Sequence, residues 1–409
     1  MGIMCNFESV FCLNHFETSI PMTPFVHLHV HSQYSLLDGQ ASVTGLVDKA
    51  MELGMPGFAL TDHGNMFGIK ELANYVNKLK KKYKGKIEEA RKRLEDAATD
   101  EEREAMRPEV EAEIAKLEKK VKFKPIFGCE MYVAKGDLTD RSDKTDKGRH
   151  LIVLAKNITG YKNLIKIVSQ AHTEGFYHHP RTDKKALAAH KEGLIVCSAC
   201  LGGEIPKYIM SGNIAEADRQ VKWFKDTFGE DYYIELQRHK TDIPGANRDT
   251  YIGQERVNPV LIELARKHDI KIIATNDSHF INAEDAESHD RLICISTNNY
   301  LTEPNRMRYT KQEWFKSQEE MAAIFPDLPE ALSNTMEILD KVETYSIDHS
   351  PIMPFFEIPK EFGTEEEYRA RITEKELFDE FTQDENGKVV LSPEKAQAKI
   401  DKLGGYDKL

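Results

Sequence analysis

From Phe25 onward the chain alternates short runs of β-branched and aromatic residues with stretches whose apolar positions recur every three or four residues. The runs at 25–31, 57–62, 125–128, 151–154, 194–197, 232–236 and 270–274 predict seven strands. Between the first two, Val43, Leu46, Val47, Ala50 and Met51 share one helical face behind Ser42, a residue suited to capping a helix start. Ahead of the last, Val257, Val260, Leu261, Leu264 and Ala265 repeat that spacing. Strand and helix in alternation imply right-handed crossovers and a parallel α/β sheet, and periodicity does not choose between an open sheet and a barrel.

Three stretches depart from this rhythm. Residues 1–24 show no period and are expected to be a poorly ordered leader, with Met22 an alternative start. Residues 77–124 are an almost unbroken charged run interrupted at Arg107-Pro108, and they read as an inserted helical hairpin. Both signs are interspersed there, which favours a solvated projection over a DNA- or partner-binding arm. Residues 301–409 are helical in pattern and punctuated by Pro326, Pro329, Pro351, Pro354 and Pro359, leading into something that breaks off.

Composition narrows the class. Hydrophobic residues at 40% against charged residues at 30% supply a full core, so a folded globular chain is expected and extended disorder is not. No apolar run approaches the roughly eighteen residues that cross a bilayer, so no membrane partner is expected and a cytoplasmic location is. Cys5, Cys12, Cys129, Cys197, Cys200 and Cys294 are scattered, which fits a reducing compartment better than a disulfide framework. A net charge of −12 disfavours a broad electrostatic grip on nucleic acid, so any DNA contact must be local or aided by another region.

Acids and imidazoles gather where the predicted strands end. His29 and His31 are two apart and share a strand face. Asp38 follows in the loop, Asp62-His63 closes the second strand, Glu130 the third, and Asp277-Ser278-His279 the seventh. Each alone has a bland explanation: an incidental strand histidine, a polar turn, a helix cap. Their joint occurrence at the edge where parallel α/β folds bind ligands points to a metal centre, and mixed carboxylate and imidazole donors suit Zn²⁺, Mn²⁺ or Fe²⁺ better than Ca²⁺. Cys197 and Cys200 lack the second Cys-x-x-Cys of a zinc ribbon, so Cys200 as a single ligand, with Cys197 buried in its strand, is the better reading. His150 precedes its apolar run instead of ending it and stays open. His239 is a further candidate ligand, or part of a basic trio with Arg238 and Lys240 facing a phosphate. His172, His178 and His179 are expected in a loop, as surface histidines or substrate contacts.

These residues spell a familiar order. The stretch from Phe25 to Ser32 with Ser35-Leu36-Leu37-Asp38-Gly39 resembles the opening motif of PHP (polymerase and histidinol phosphatase) domains in bacterial DNA polymerase III alpha subunits of the DnaE type. Leu60-Thr61-Asp62-His63-Gly64-Asn65, Ile126-Phe127-Gly128-Cys129-Glu130, His150-Leu151-Ile152-Val153-Leu154 and Ala274-Thr275-Asn276-Asp277-Ser278-His279 extend the resemblance. It implies a distorted seven-stranded (β/α) barrel over residues 25–300, with the charged helical insertion and a helical C-terminal extension. It also implies two or three divalent metal ions, zinc or manganese first and iron or magnesium as alternatives. The ligands would be His29, His31, Asp38, His63, Glu130, His150, Cys200, Asp277 and His279, with Asp38, His63 and Asp277 closest to the chemistry. The implied activity is phosphoester hydrolysis, a 3′ to 5′ exonuclease acting on a DNA 3′ end (the primer strand) beside the rest of the polymerase and replisome subunits. No acidic strand cluster follows residue 350, so polymerisation by this stretch alone is not expected. A free-standing phosphatase for a small phosphomonoester and a metal-stabilised scaffold are the alternatives.

Overall fold

Each predicted element can be traced to what its residues bury. In the computed structural model, which describes residues 23–354, 363–384 and 386–409, the helix α1 (Val43–Glu52) turns Val43, Leu46, Val47, Ala50 and Met51 inward, and the Ser42 hydroxyl accepts from the Gly45 N–H at 3.1 Å. The strands are β1 (Gly57–Leu60), β2 (Lys124–Val133), β3 (Arg149–Ala155), β4 (Phe176–Tyr177), β5 (His179–Thr182), β6 (Leu194–Cys197), β7 (Tyr232–Leu236) and β8 (Ile272–Ala274). The helices among and after them are α2 (Ile69–Glu95), α3 (Asp100–Val121), α4 (Ile158–Thr173), α5 (Lys184–Ala189), α6 (Glu204–Met210), α7 (Ile214–Phe228), α8 (Asp249–Lys267), α9 (Ala286–Thr297), α10 (Gln318–Ile324) and α11 (Pro329–Lys341).

The expected first strand is not a regular strand. Residues 25–31 run extended between β1 and the segment after β8, and they close the sheet into a barrel. Ala59 N–H donates to His27 C=O at 2.8 Å and Thr61 N–H to Val30 C=O at 2.9 Å, so three residues of this segment oppose two of β1. That extra residue is a bulge, with the bend at His29. On the other side His31 N–H donates to Ser278 C=O at 2.8 Å and Ser278 N–H to His29 C=O at 3.2 Å. The bulge resets the alternation. Val26 and Leu28 point into the barrel, His27 points out against Phe315 with ring centroids 4.2 Å apart, and His29 and His31 then face the site together.

The sheet order from β2 onward is β2-β3-β6-β7-β8, with β1 parallel to the first half of β2 and β5 parallel to its last residues. The expectation of a parallel sheet holds except at β3, which is antiparallel to both β2 and β6, and at the short β4, which is antiparallel to β5. Its start, not its end, therefore lies at the edge where its neighbours finish, and this is why His150 precedes its apolar run. Glu130 does not close its strand either. β2 continues to Val133, because Tyr132 and Val133 still pair with β3 and β5.

The seven staves fill the barrel with Val26, Leu28, Ala59, Ile126, Ile152, Leu154, Ile195, Cys197, Tyr233 and Ile273, all fully buried. Each such aliphatic side chain contributes about 1.5–3 kcal/mol by leaving water. The charged insertion is a helical hairpin, but it starts at Ile69 and turns at residues 96–99 behind a Thr99 cap. The interruption expected at Arg107-Pro108 is absent, and Pro108 lies inside α3. The chain divides into two compact units between Ile347 and Asp348. The boundary expected at residue 300 thus falls inside the first unit, because Ile338, Leu339 and Val342, in and just after α11, join the barrel's interior cluster. The second unit contains α12 (Glu365–Arg371), α13 (Glu374–Thr382) and α14 (Pro393–Leu403). Of the expected leader, residues 1–22 lie outside the described residues.

Candidate metal centre

The bulged segment delivers His29 and His31 to the barrel edge, and fixed partners orient each ring. His29 Nδ1 lies 2.6 Å from Glu235 Oε1, His31 Nδ1 2.9 Å from Ser35 Oγ, and His279 Nδ1 2.8 Å from the Asp277 carbonyl. All three therefore present Nε2 to the same space. Asp277 follows β8 in the left-handed backbone region, φ +47, an uncommon conformation for a non-glycine residue that clusters at functional sites. Its Oδ1 sits 3.1 Å from His29 Nε2 and 3.2 Å from His31 Nε2.

Glu130 occupies the middle. Its Oε1 lies 2.8 Å from His150 Nδ1 and 3.3 Å from His29 Nε2, while its Oε2 contacts His63 Nδ1 and lies 3.7 Å from His31 Nε2. Cys200 Sγ is 3.4 Å from His150 Nδ1 and 3.8 Å from Glu130 Oε1. On the solvent side Asp38 Oδ2 is 2.9 Å from His63 Nε2 and 3.7 Å from His279 Nε2, and the Tyr309 hydroxyl donates to Asp38 Oδ1 at 2.8 Å. The structure thus brings all nine sequence-selected residues into one cluster.

The acids and imidazoles of the cluster bias one another. Against their burial, Asp277 with Glu235 and Glu130 holds His29, Glu130 holds His63, and Asp38 holds His279 above the usual imidazole range, so protons and a cation would compete for these rings. Burial alone would push Glu130 up, but His150, His63 and His29 hold it well below the usual carboxylate range. Asp277 is held down against its burial by His29, and Asp38 by His279 and His63. Burial, with His63 and His279 nearby, takes His31 down to about 3, which leaves its ring neutral and its lone pair free. Burial together with Glu130 and Asp277 pushes the Cys200 thiol up, so a thiolate there needs a neighbouring cation.

A direct test of fit is what the buried polar atoms lack. His29 Nε2, His31 Nε2, His63 Nδ1, Glu130 Oε2 and Asp277 Oδ1 are buried without a well-formed hydrogen bond, set against one another as ion-pair contacts around the same space. Such atoms cost about 1–3 kcal/mol each when left unsatisfied, and metal ions would satisfy them together. Three overlapping triads, His31–His63–His279, His29–His31–Glu130 and His63–Glu130–His150, each place their ligand atoms within 4.8 Å of one another. Imidazole, carboxylate and one thiol form a donor set for a transition metal.

Several other candidates fall elsewhere. His239 is buried with Nε2 3.1 Å from Asn276 C=O and Nδ1 3.1 Å from Gln254, a satisfied position outside the cluster. Arg238 pairs with Asp327 rather than facing a phosphate site. His172 is in α4 and His179 begins β5, so the expected loop is only His178 between β4 and β5. Cys197 lies in the barrel interior, apart from Cys200. Sequence reasoning missed Glu235, Tyr309 and Ser35. Glu235 had left a signal, a lone acid in the apolar run of β7, whereas Tyr309 comes from an irregular segment with no period.

Beside Asp38 and His63 opens a cavity of about 350 Å³ that also involves Phe67, Tyr132, His172, His179 and Met307. A larger one, about 610 Å³ around Arg238, Tyr251 and Asp327, contains none of the nine residues.

A barrel with this edge defines a class. Residues 27–239 match the PHP domain family model, and the chain belongs to that family; seven of the nine clustered residues fall within the match. The chain is 39% identical over 353 residues to DNA polymerase III subunit alpha of Borreliella burgdorferi, an alignment covering 85% of this chain and 26% of that protein. With DNA polymerase III subunit alpha of Treponema pallidum it shares 37% identity over 361 residues (87% and 26%), and with that of Thermus aquaticus 35% over 325 residues (77% and 22%). The chain spans about a quarter of the length of these curated relatives.

Proposed function

We propose that this chain is the phosphoesterase portion of a DNA polymerase III alpha subunit, and that its centre hydrolyses the terminal phosphodiester at a DNA 3′ end, a 3′ to 5′ exonuclease activity suited to proofreading. The observation that carries this reading is the convergence on one space at the barrel edge of five buried donor and acceptor atoms that meet one another in ion-pair contact, without a well-formed hydrogen bond. In this reading the phosphoesterase domain, expected over 25–300, runs on to Ile347, and the remainder leads toward the polymerase and its replisome partners.

His29, His31, Glu130, His150, Cys200, Asp277 and His279 would hold two or three divalent ions, with Asp38 and His63 completing the set on the open side. Zinc or manganese fits the donors first, iron or magnesium next; when bound, such ions lower the pKa of a water and offset the charge of a phosphate. Asp38, steadied by His63 Nε2 and the Tyr309 hydroxyl, orients the attacking water and receives its proton. The water oxygen bonds to phosphorus as the bond to O3′ of the preceding nucleotide breaks. The electron pair stays on that O3′, which takes up a proton, and a 5′-mononucleotide leaves a strand shortened by one. Nucleotidyl transfer is not assigned to this chain: among the described residues the three candidate metal triads all belong to this one centre.

The test supplies 3′-labelled single-stranded DNA with Mn²⁺ or Zn²⁺ at low salt. Labelled mononucleotide should appear, at a high KM for DNA, since a chain of net charge −12 offers few cation–phosphate contacts. Inert DNA with rapid turnover of histidinol phosphate would instead make this a small-ester phosphatase.

A further inference from the structure

The cavity beside Asp38 and His63 carries no lysine or arginine among its lining residues. Its one carboxylate is Asp38, which belongs to the centre, and the rest of the lining is mainly apolar or aromatic, with Asn65 and Ser296 the uncharged polar exceptions. Among the lining residues Phe67 is 59% exposed and Met307 52% exposed. Two further lining residues, Tyr132 and His179, stack their rings with centroids 4.4 Å apart and planes 14° from parallel.

Phe67 is held in place by its loop. Asn65 is buried; its Nδ2 donates to the carbonyls of Tyr34 and His63, both at 2.9 Å, and its Oδ1 accepts from the Phe67 N–H at 3.0 Å. The His172 ring holds the Gly64 carbonyl at 2.9 Å. A large aromatic ring presented to water on a pinned loop, lining a cavity that Asp38 and His63 of the proposed reaction centre also line, has the form of a stacking platform.

We infer that this cavity is a subsite for one unpaired nucleobase, with Phe67 the residue that determines specificity for a nucleotide ester over a small aliphatic one. The inference rests on the proposed hydrolysis of DNA 3′ ends and adds to it the state of the substrate. At about 350 Å³ the space is at the small end of ligand pockets, which span about 300–1,000 Å³, so it takes one base and not a base pair. The terminal nucleotide must leave its duplex to enter, and that step is least costly for a mismatched or single-stranded end. An aliphatic phosphomonoester would reach Asp38 and His63 and leave the aromatic walls unused.

The test uses the full chain with Mn²⁺ and an oligonucleotide ending in 3′-terminal 2-aminopurine behind an uncleavable phosphorothioate linkage. Stacking should quench the fluorescence on titration, and Phe67→Ala should raise the Kd about tenfold, with Met307→Ala giving a smaller shift and Phe67→Trp restoring affinity. In hydrolysis, Phe67→Ala should raise KM for single-stranded DNA, leave kcat within about twofold, and leave turnover of glycerol phosphate unchanged; a mismatched 3′ terminus should be cut at least about tenfold faster than a paired one. An unquenched probe, a Kd indifferent to Phe67, or equal cleavage of paired and mismatched ends would overturn the subsite. Phe67-dependent quenching with no hydrolysis of any ester would support the subsite and sink the proposed reaction instead.

Discussion

The two ends of the barrel are built on opposite principles. At the end closed by α11, Ile338, Leu339 and Val342 plug the interior and nearby polar groups find partners. Val26 N–H donates to Thr335 Oγ1 at 3.0 Å, Lys124 Nζ to the carbonyls of Leu339 and Val342 at 2.7 Å, and Asn334 Nδ2 to Ile272 C=O at 2.8 Å. At the other end three carboxylates, five imidazoles and a thiol crowd one space, and five of their buried atoms meet one another as ion-pair contacts without a well-formed hydrogen bond. One end lowers the free energy of the fold; the other draws on that stability to hold groups that would repel or desolvate one another without a cation. The difference is what a site that takes up cations would require, since its side chains are individually costly to bury.

If that division is real, damage at each end should read out differently. The largest effect on stability is expected from Ile338→Ala, which should cost about 2–5 kcal/mol in chemical denaturation, with metal content per folded molecule unchanged; a loss of metal in step with stability would dissolve the contrast. Asp277→Asn should do the reverse, lowering hydrolysis by roughly a hundred- to a thousandfold while moving the denaturation midpoint little. Full metal-dependent activity in that variant would reduce Asp277 to a turn residue. Glu235→Gln is a finer probe. Its carboxylate touches His29 Nδ1 and not the open space, so metal affinity should weaken about 10- to 100-fold, measured by competition with a chelator.

Much of the chemical end was legible in the sequence because its residues sit at strand ends in loops of short range: His29 with His31, Asp62 with His63, Asp277 with His279. What periodicity could not supply was direction and register. An apolar run such as 151–154 looks the same whichever way it is traversed, so the antiparallel course of β3, which brings His150 to the site, had no signature. Nor did the bulge at His29, where one extra residue separates His27, packed on Phe315, from the two histidines that follow it. The hairpin was recognisable by its charge, but its turn was not. Pro108 is the stronger breaker by propensity, yet the chain reverses at residues 96–99, where Thr99 caps α3 by accepting from Glu102 N–H at 3.1 Å. The closing plug, α11, is an ordinary amphipathic helix whose destination in the barrel floor only the packing reveals.

The most direct test of a metal-holding barrel edge is elemental analysis of the purified chain beside the double variant His29→Ala with His31→Ala. The wild type should carry two or three transition-metal ions per chain, and the double variant, checked for folding by circular dichroism, should lose at least one of them. An unchanged metal content in a folded double variant would contradict the assignment of the centre.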